Sequence, residues 1–354
     1  MSTLPSPPVW LRDNCPCAAC RDPVSGQKLF QITELPVDLA VAEVEQDAET
    51  ITVRFAPDGH VSCFPRRFLF PPDGPGTGDG RSEADKQLWA AADLASVENG
   101  TTWARYREDG ERLRVLRRVA SLGFTVLRGA PTAAGTLFEI VASFGYLRET
   151  NYGELFEVRV ELSPSNLAFT GLGISPHTDN PYRDPVPTLQ LLHCLSNAAE
   201  GGETGLVDGF MAAAVLREEQ PEAFRVLTGT LVPFAWSDAR ASLRAERPLI
   251  ETDPLGRIRG VRFNNRSLQT LRLEPGLLDT FYDSYRAFAE VIARPELGLR
   301  FRLEAGDCLI FDNTRLLHSR TAFREAGGGT RHLQGCYADL DGLMSTIEVL
   351  TGTL

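Results

Sequence analysis

Three residues of this chain have the types and the spacing to hold a redox metal. His177 and Asp179 flank Thr178, and His318 stands far downstream. Two imidazoles and one carboxylate make the facial set that binds a non-haem Fe(II) and leaves coordination positions open. Open positions let a co-substrate and dioxygen meet on the metal. Arg331 follows His318 at short range. Its guanidinium can clamp a dicarboxylate through two parallel hydrogen bonds. The chemistry implied is that of an oxygenase using Fe(II), 2-oxoglutarate and O2.

A His-x-Asp pair alone carries little weight, since short motifs recur by chance. Here the chain has only five histidines, and the pair has companions. Thr204, in Gly201-Gly202-Glu203-Thr204, can offer a hydroxyl to a carboxylate. Asp307 to Asn313 reads as a turn and a short apolar strand, followed by the loop that delivers His318.

A second cluster lies near the N-terminus. Cys15, Cys17 and Cys20 crowd into Trp10-Leu11-Arg12-Asp13-Asn14-Cys15-Pro16-Cys17-Ala18-Ala19-Cys20, and His60 sits on a predicted hairpin turn. Three thiolates and one imidazole match a closed, structural zinc tetrahedron. Cys63, Cys194, Cys308 and Cys336 read as apolar core residues.

The elements that must position these groups fall into two bodies. Residues 8–70 form a small unit, in which Thr50–Phe55 reads as a strand, Pro57-Asp58-Gly59 as a turn and Val61–Phe64 as the returning strand. A body this small has little core and needs a staple, which the cysteines supply. Residues 71–82, beginning Pro71-Pro72-Asp73-Gly74-Pro75-Gly76, read as a linker. Residues 83–354 open with an amphipathic helix, Gly110–Leu122, presenting Leu113, Leu116, Val119 and Ala120 on one face. Gly123–Leu127, Thr188–Leu195, Arg259–Phe263, Asp307–Phe311 and Leu333–Tyr337 read as short strands, with a helix over Leu277–Ile292. Many short strands separated by turns predict a mainly β sandwich or jelly roll with flanking helices.

The bulk numbers narrow the class. The chain has 354 residues, a formal net charge of −11, 43% hydrophobic and 23% charged residues. This is the composition of a globular enzyme, and its acidity argues against nucleic acid or an anionic membrane as partner. The start, Met-Ser-Thr-Leu-Pro-Ser-Pro-Pro, lacks the basic and apolar parts of a signal sequence, so a cytoplasmic location is expected.

Taken together, these motifs resemble the γ-butyrobetaine hydroxylase family, which includes the trimethyllysine dioxygenases. The resemblance rests on the N-terminal Trp10-Leu11-Arg12-Asp13-Asn14-Cys15 run, the His177-Thr178-Asp179 segment leading to Gln190-Leu191-Leu192-His193-Cys194, Val207-Asp208-Gly209-Phe210, Asn313-x-Arg315-Leu316-Leu317-His318 and Arg331-His332-Leu333. It covers nearly the whole chain. It implies a small zinc-binding α+β domain followed by a double-stranded β-helix (jelly-roll) catalytic domain, commonly as a homodimer. The implied reaction hydroxylates an unactivated C–H bond while 2-oxoglutarate becomes succinate and CO2, with ascorbate as a candidate reductant.

By position, the resemblance assigns His177, Asp179 and His318 to Fe(II). It assigns Arg331, Thr204 and the backbone around Leu192 to 2-oxoglutarate. It implies an aromatic cage for a trimethylammonium group at Tyr152, Phe156, Phe169 and Tyr337, because ring faces attract a weakly hydrated cation. Tyr182 is an extra aromatic near the iron loop. Asn166 and Asn264 match contacts to the substrate's anionic end, and Arg266 stands beside them where a small residue is usual. An added guanidinium suits a more highly charged anion. One branch of that family hydroxylates 2-trimethylaminoethylphosphonate, and the resemblance leans slightly to that substrate, giving its 1-hydroxy product, with γ-butyrobetaine conversion to carnitine as a nearly equal alternative. A sulfonate oxygenase is disfavoured by the cage. A non-catalytic, metal-stabilised small-molecule binding protein is disfavoured by the intact metal and arginine set.

Overall fold

Alternation along Thr50–Ala56 builds the first core: Ile51, Val53 and Phe55 point inward and the residues between them do not, as the two-residue period of a strand requires. The structure is a computed structural model describing residues 4, 6–70, 83–94, 100–160, 170–324 and 330–352. The chain divides into two units, Met1–Gly78 and Asp79–Leu354. The stretch read as a linker, 71–82, lies outside the described residues.

In the first unit, strands Ala40–Gln46, Thr50–Ala56 and Val61–Pro65 form an antiparallel sheet in sequence order. Leu11 of the helix Pro8–Asp13, together with Phe64 and Leu69, closes its small core. Cys63 departs from expectation: it is exposed. Along Val61–Pro65 the inward positions are Ser62 and Phe64, so strand alternation turns the intervening Cys63 outward. Cys194, Cys308 and Cys336 are buried.

The second unit is a jelly roll with helices packed around it. Its larger sheet runs in the order Gly100–Thr102, Phe124–Arg128, Cys308–Asp312, Leu189–Asn197, Arg331–Ala338, Phe156–Val158. Its smaller sheet runs Gly298–Phe301, Thr204–Asp208, Leu316–Arg320, Ile174–His177. All pairs are antiparallel except Gly100–Thr102 with Phe124–Arg128. Leu206 and Leu316 of the smaller sheet pack with Phe124, Leu309 and Leu333 of the larger one, which is the shared core of a sandwich.

The outer face of the larger sheet is covered by helices Asp109–Leu122, Thr136–Ala142 and Leu340–Thr351. On Asp109–Leu122 the buried residues are Val115, Leu116, Val119 and Leu122. Leu113 and Ala120, expected on that face, are only half-buried. Gly123 ends this helix in the left-handed region at φ 88°, the conformation that favours glycine at a helix end. Helices Gly209–Glu219, Pro221–Gly229 and Pro275–Ile292 share another apolar core with Phe234 and Ile250.

A buried ion pair fixes the approach to the strand Leu316–Arg320. Arg315 and Asp208 are fully buried and meet at 2.7 Å. Arg315 also donates to the carbonyls of Ser121 and Gln87. Asp208 accepts from the Phe210 N–H and so caps the helix that follows. Removing one partner of such a pair costs about 3–5 kcal/mol, because a buried charge is left uncompensated.

Candidate active site

His177 ends the strand Ile174–His177, and His318 lies within the strand Leu316–Arg320. His318 was expected on a loop; instead a strand presents it. The two strands are antiparallel neighbours, and His177 and His318 are directly paired across them. Cross-strand partners on one face lie close enough for their side chains to converge, and here the ring centroids are 4.2 Å apart. His177 Nε2 is 3.3 Å from Asp179 Oδ1, and His318 Nε2 is 3.8 Å from Asp179 Oδ2. Three ligand atoms thus fall within 4.8 Å of one another.

The turn that carries Asp179 is tied on several sides. Asn313 accepts from the Asp179 N–H at 2.7 Å and donates to the Asp179 carbonyl at 3.0 Å. Thr178 exchanges backbone and hydroxyl hydrogen bonds with Phe263. Arg262, buried on the adjacent segment, donates to the carbonyls of Pro181 and Arg183. The Asp179 carboxylate accepts from Gln190 Nε2 at 3.0 Å and from the Tyr337 hydroxyl at 3.1 Å. Both donors belong to the larger sheet, so the carboxylate is held from the opposite side of the sandwich.

Electrostatics set the protonation states. Burial alone would raise Asp179, but His318, His177 and Arg266 hold it well below the usual carboxylate range. Burial, with repulsion from His177 and Arg266, pushes His318 down to about 3. A carboxylate and a neutral imidazole are the forms that ligate a metal. His177 Nδ1 lies 2.9 Å from the Ser175 carbonyl. A donor bond there fixes the tautomer that leaves Nε2 free as a ligand. The residues present therefore fit a divalent metal.

A cavity of about 280 Å3 opens beside this trio, and Thr204, Leu192 and Arg331 line it. Arg331 is buried, lies 5.4 Å over the Phe323 ring, and is pushed down to about 10, first by burial. Gly202, at φ 70°, makes room for it: a Cβ there would stand 3.0 Å from Arg331 Cδ and Nε. Arg320 stacks on the same ring at 4.8 Å. It too is pushed down to about 10, by burial and then by Arg331 and Arg266. This end of the cavity is therefore strongly electropositive and suits a dicarboxylate.

Of the residues expected to meet a substrate, Tyr152, Phe156, Tyr182, Asn264, Arg266 and Tyr337 line the cavity. Asn166 and Phe169 lie outside the described residues. Phe156 is 5.3 Å from Tyr337 and 6.2 Å from Tyr152. A Cβ at Gly335, the cross-strand partner of Phe156, would collide with the Phe156 ring. Asn264 donates to the Thr178 carbonyl and accepts from the Arg266 N–H. Gln190, Trp236 and Arg320 also line the cavity and were missed. Gln190 stood inside a motif already quoted and Arg320 two residues beyond His318; Trp236 had no sequence signal.

The N-terminal residues converge as well. His60 Nε2 lies 3.2, 3.7 and 3.5 Å from the sulfurs of Cys15, Cys17 and Cys20. Arg12 donates to Cys20 Sγ at 3.1 Å and to Asp58 at 3.0 Å, and Asp58 accepts from the His60 N–H.

A jelly roll with an open His-x-Asp…His trio beside a basic cavity defines the class of Fe(II)- and 2-oxoglutarate-dependent oxygenases. Comparison with known proteins agrees. Residues 89–337 match the taurine catabolism dioxygenase TauD, TfdA family, and residues 2–70 match a γ-butyrobetaine hydroxylase-like N-terminal family. A γ-butyrobetaine dioxygenase of Pseudomonas sp. (strain AK-1) is 36% identical, over 97% of this chain and 89% of the relative. The human γ-butyrobetaine dioxygenase is 30% identical, over 97% and 90%. A taurine dioxygenase structure from Burkholderia xenovorans shares the fold, with a TM-score of 0.51 at 18% identity over 65% of this chain and 81% of that one. The chain belongs to the γ-butyrobetaine hydroxylase and trimethyllysine dioxygenase family, and it is a dioxygenase that uses Fe(II) and 2-oxoglutarate. Among the described residues, no helix is long and apolar enough to cross a membrane.

Proposed function

We propose that the protein hydroxylates a small trimethylammonium compound, 2-trimethylaminoethylphosphonate, to its 1-hydroxy product. The observation that carries this reading is Arg266. Its side chain lines the cavity, has no ion-pair partner among the described residues, and its charge acts on Asp179, His318 and Tyr152. A guanidinium aimed into a site awaits an anion, and a dianion gains more from it than a carboxylate does. The aromatic wall of Tyr152, Phe156 and Tyr337 supplies the opposite recognition, for a cation that carries no N–H donors.

Fe(II) would be held by His177, Asp179 and His318, and when bound it supplies O2 activation coupled to decarboxylation of 2-oxoglutarate. The chain's own residues do the positioning. Arg331 pairs with the far carboxylate of 2-oxoglutarate, with Thr204 beside it. Gln190 and Tyr337 orient the Asp179 carboxylate. Burial and the nearby carboxylate keep the Tyr337 phenol protonated, so it stays a donor. The rings would exclude water and hold the bound substrate in place.

The cysteine cluster is read as a structural zinc site. Zinc bonds of about 2.3 Å to sulfur and 2.0–2.1 Å to nitrogen place those atoms about 3.6 Å apart in a tetrahedron. The separations of 3.2, 3.7 and 3.5 Å straddle that value. Arg12 would offset part of the negative charge of three thiolates.

A second reading, γ-butyrobetaine hydroxylation to carnitine, is favoured by the Pseudomonas relative at 36% identity. The test is kcat/KM for both substrates in wild type and Arg266→Ala. The phosphonate should lose at least about tenfold more than γ-butyrobetaine. Equal losses would show that Arg266 does not discriminate between the two anions, and the phosphonate reading would fall to the carnitine reaction.

A further inference from the structure

Resting on the trimethylammonium reading, we infer that Trp236 is the dominant cation-recognising ring of the cavity and a determinant of substrate specificity. Trp236 lies on the strand Val232–Ser237, which forms a hairpin with Ser242–Arg247. It is half-buried and lines the cavity beside Tyr152 and Tyr182. Its ring is 5.7 Å from Tyr152 at an interplanar angle of 58° and 6.0 Å from Tyr182 at 21°. Five rings therefore form a continuous wall, in the order Tyr337, Phe156, Tyr152, Trp236, Tyr182.

The faces of this wall are not equal. Attraction for a cation falls from indole to the smaller rings. Trp236 is the indole of the wall, while the neighbouring position 156 carries a plain phenyl ring. The phenols on either side of Trp236 are committed to each other: Tyr152 and Tyr182 hydroxyls are 3.1 Å apart, and Tyr182 donates to Asn180 at 2.8 Å. These bonds hold the two rings that flank the indole in place. The corner between Trp236 and Tyr152 is thus the most electron-rich part of the wall and is rigidly supported.

The hairpin also couples the two ends of substrate recognition. The Ala235 N–H donates to the Ser267 carbonyl at 2.9 Å, and the Gln269 N–H to the Pro233 carbonyl at 2.8 Å. Trp236 and Arg266 therefore ride on segments bonded to one another. That pairing sets the spacing between the cation-binding ring and the guanidinium, and with it the length of substrate accepted.

The experiment compares wild type, Trp236→Phe and Trp236→Leu with two ligands. One is the trimethylammonium substrate. The other is its neutral isostere, in which carbon replaces the quaternary nitrogen. Dissociation constants are measured by calorimetry with 2-oxoglutarate present, and KM and kcat are measured for the substrate. Trp236→Leu should raise the KM and Kd of the cation about tenfold or more, with kcat changed by less than about threefold, and Trp236→Phe should fall between. The isostere should weaken at least about fivefold less than the cation. Equal losses for the two ligands, or a loss confined to kcat, would overturn the inference and leave Trp236 as a packing residue. Trp236→Phe keeps an aromatic ring and decides the matter if the leucine variant does not fold. If wild type binds the isostere as tightly as the cation, the trimethylammonium reading itself fails.

Discussion

The two side-chain clusters of this protein that could hold a metal are built in opposite ways. The cysteine cluster draws three ligands from one short loop and a fourth from 45 residues beyond the first. It has four donors, which saturate a tetrahedron. The His177, Asp179, His318 trio draws its ligands from two paired strands and a turn, and its carboxylate is gripped from the facing sheet. It has three donors and opens onto a cavity of about 280 Å3. A closed set can only hold a body together. An open set beside a cavity can do chemistry, and it needs a larger fold to keep its ligands apart from solvent and aimed at one point.

That contrast can be broken at several points. Removing a ligand from the open site should have the largest effect on turnover. Asp179→Ala should lower 2-oxoglutarate-coupled oxygen consumption by more than about 100-fold, beyond what loss of a supporting contact costs, while the melting temperature holds. Wild-type rates in this variant would dismiss the iron assignment.

Removing a ligand from the closed set should act on folding instead. Elemental analysis should find about one equivalent of zinc in the wild type and none in Cys20→Ala, and in that variant residues 8–70 should lose their amide protection in hydrogen exchange, since structural zinc binding is folding free energy. A zinc-free but fully protected unit would show that the cysteines are packed thiols.

Arg331→Met tests the basic end of the cavity. Leaving a buried carboxylate unpaired costs about 2–5 kcal/mol, so the KM for 2-oxoglutarate should rise far more than that for the main substrate. The reverse ranking would move Arg331 to the substrate side.

The smallest effect is expected from Tyr337→Phe. It removes one hydrogen bond to Asp179 and leaves the ring in the wall. Iron affinity, followed by metal titration, should fall about tenfold, the low end for a contact behind a ligand. An unchanged affinity would mean that Gln190 alone suffices to orient the carboxylate.

Legibility followed the same division between local and distant. Cys15, Cys17, Cys20 and His60 stood out because most of their geometry is encoded by spacing along the chain. The period of Thr50–Ala56 and the apolar stripe of Asp109–Leu122 were readable for the same reason. Trp236 was not, because its hairpin reaches the cavity only through the pairing of Ala235 with Ser267. Cys63 was misread because one residue of strand phase separates core from surface. His318 was placed on a loop because the strand Leu316–Arg320 is short and owes its place to its neighbours and to the buried Arg315–Asp208 pair.

The order of amino acids was enough to name the donors: which atoms can ligate iron, which can ligate zinc, and that an arginine stands ready for a dicarboxylate. Donor identity is a property of side chains, so it survives without coordinates. It took the folded molecule to bring His177 and His318 face to face across a strand pair, to let Gln190 and Tyr337 reach over and grip Asp179, and to join five rings into one wall. Those relations join residues far apart in the chain, and they exist only once the two sheets have packed.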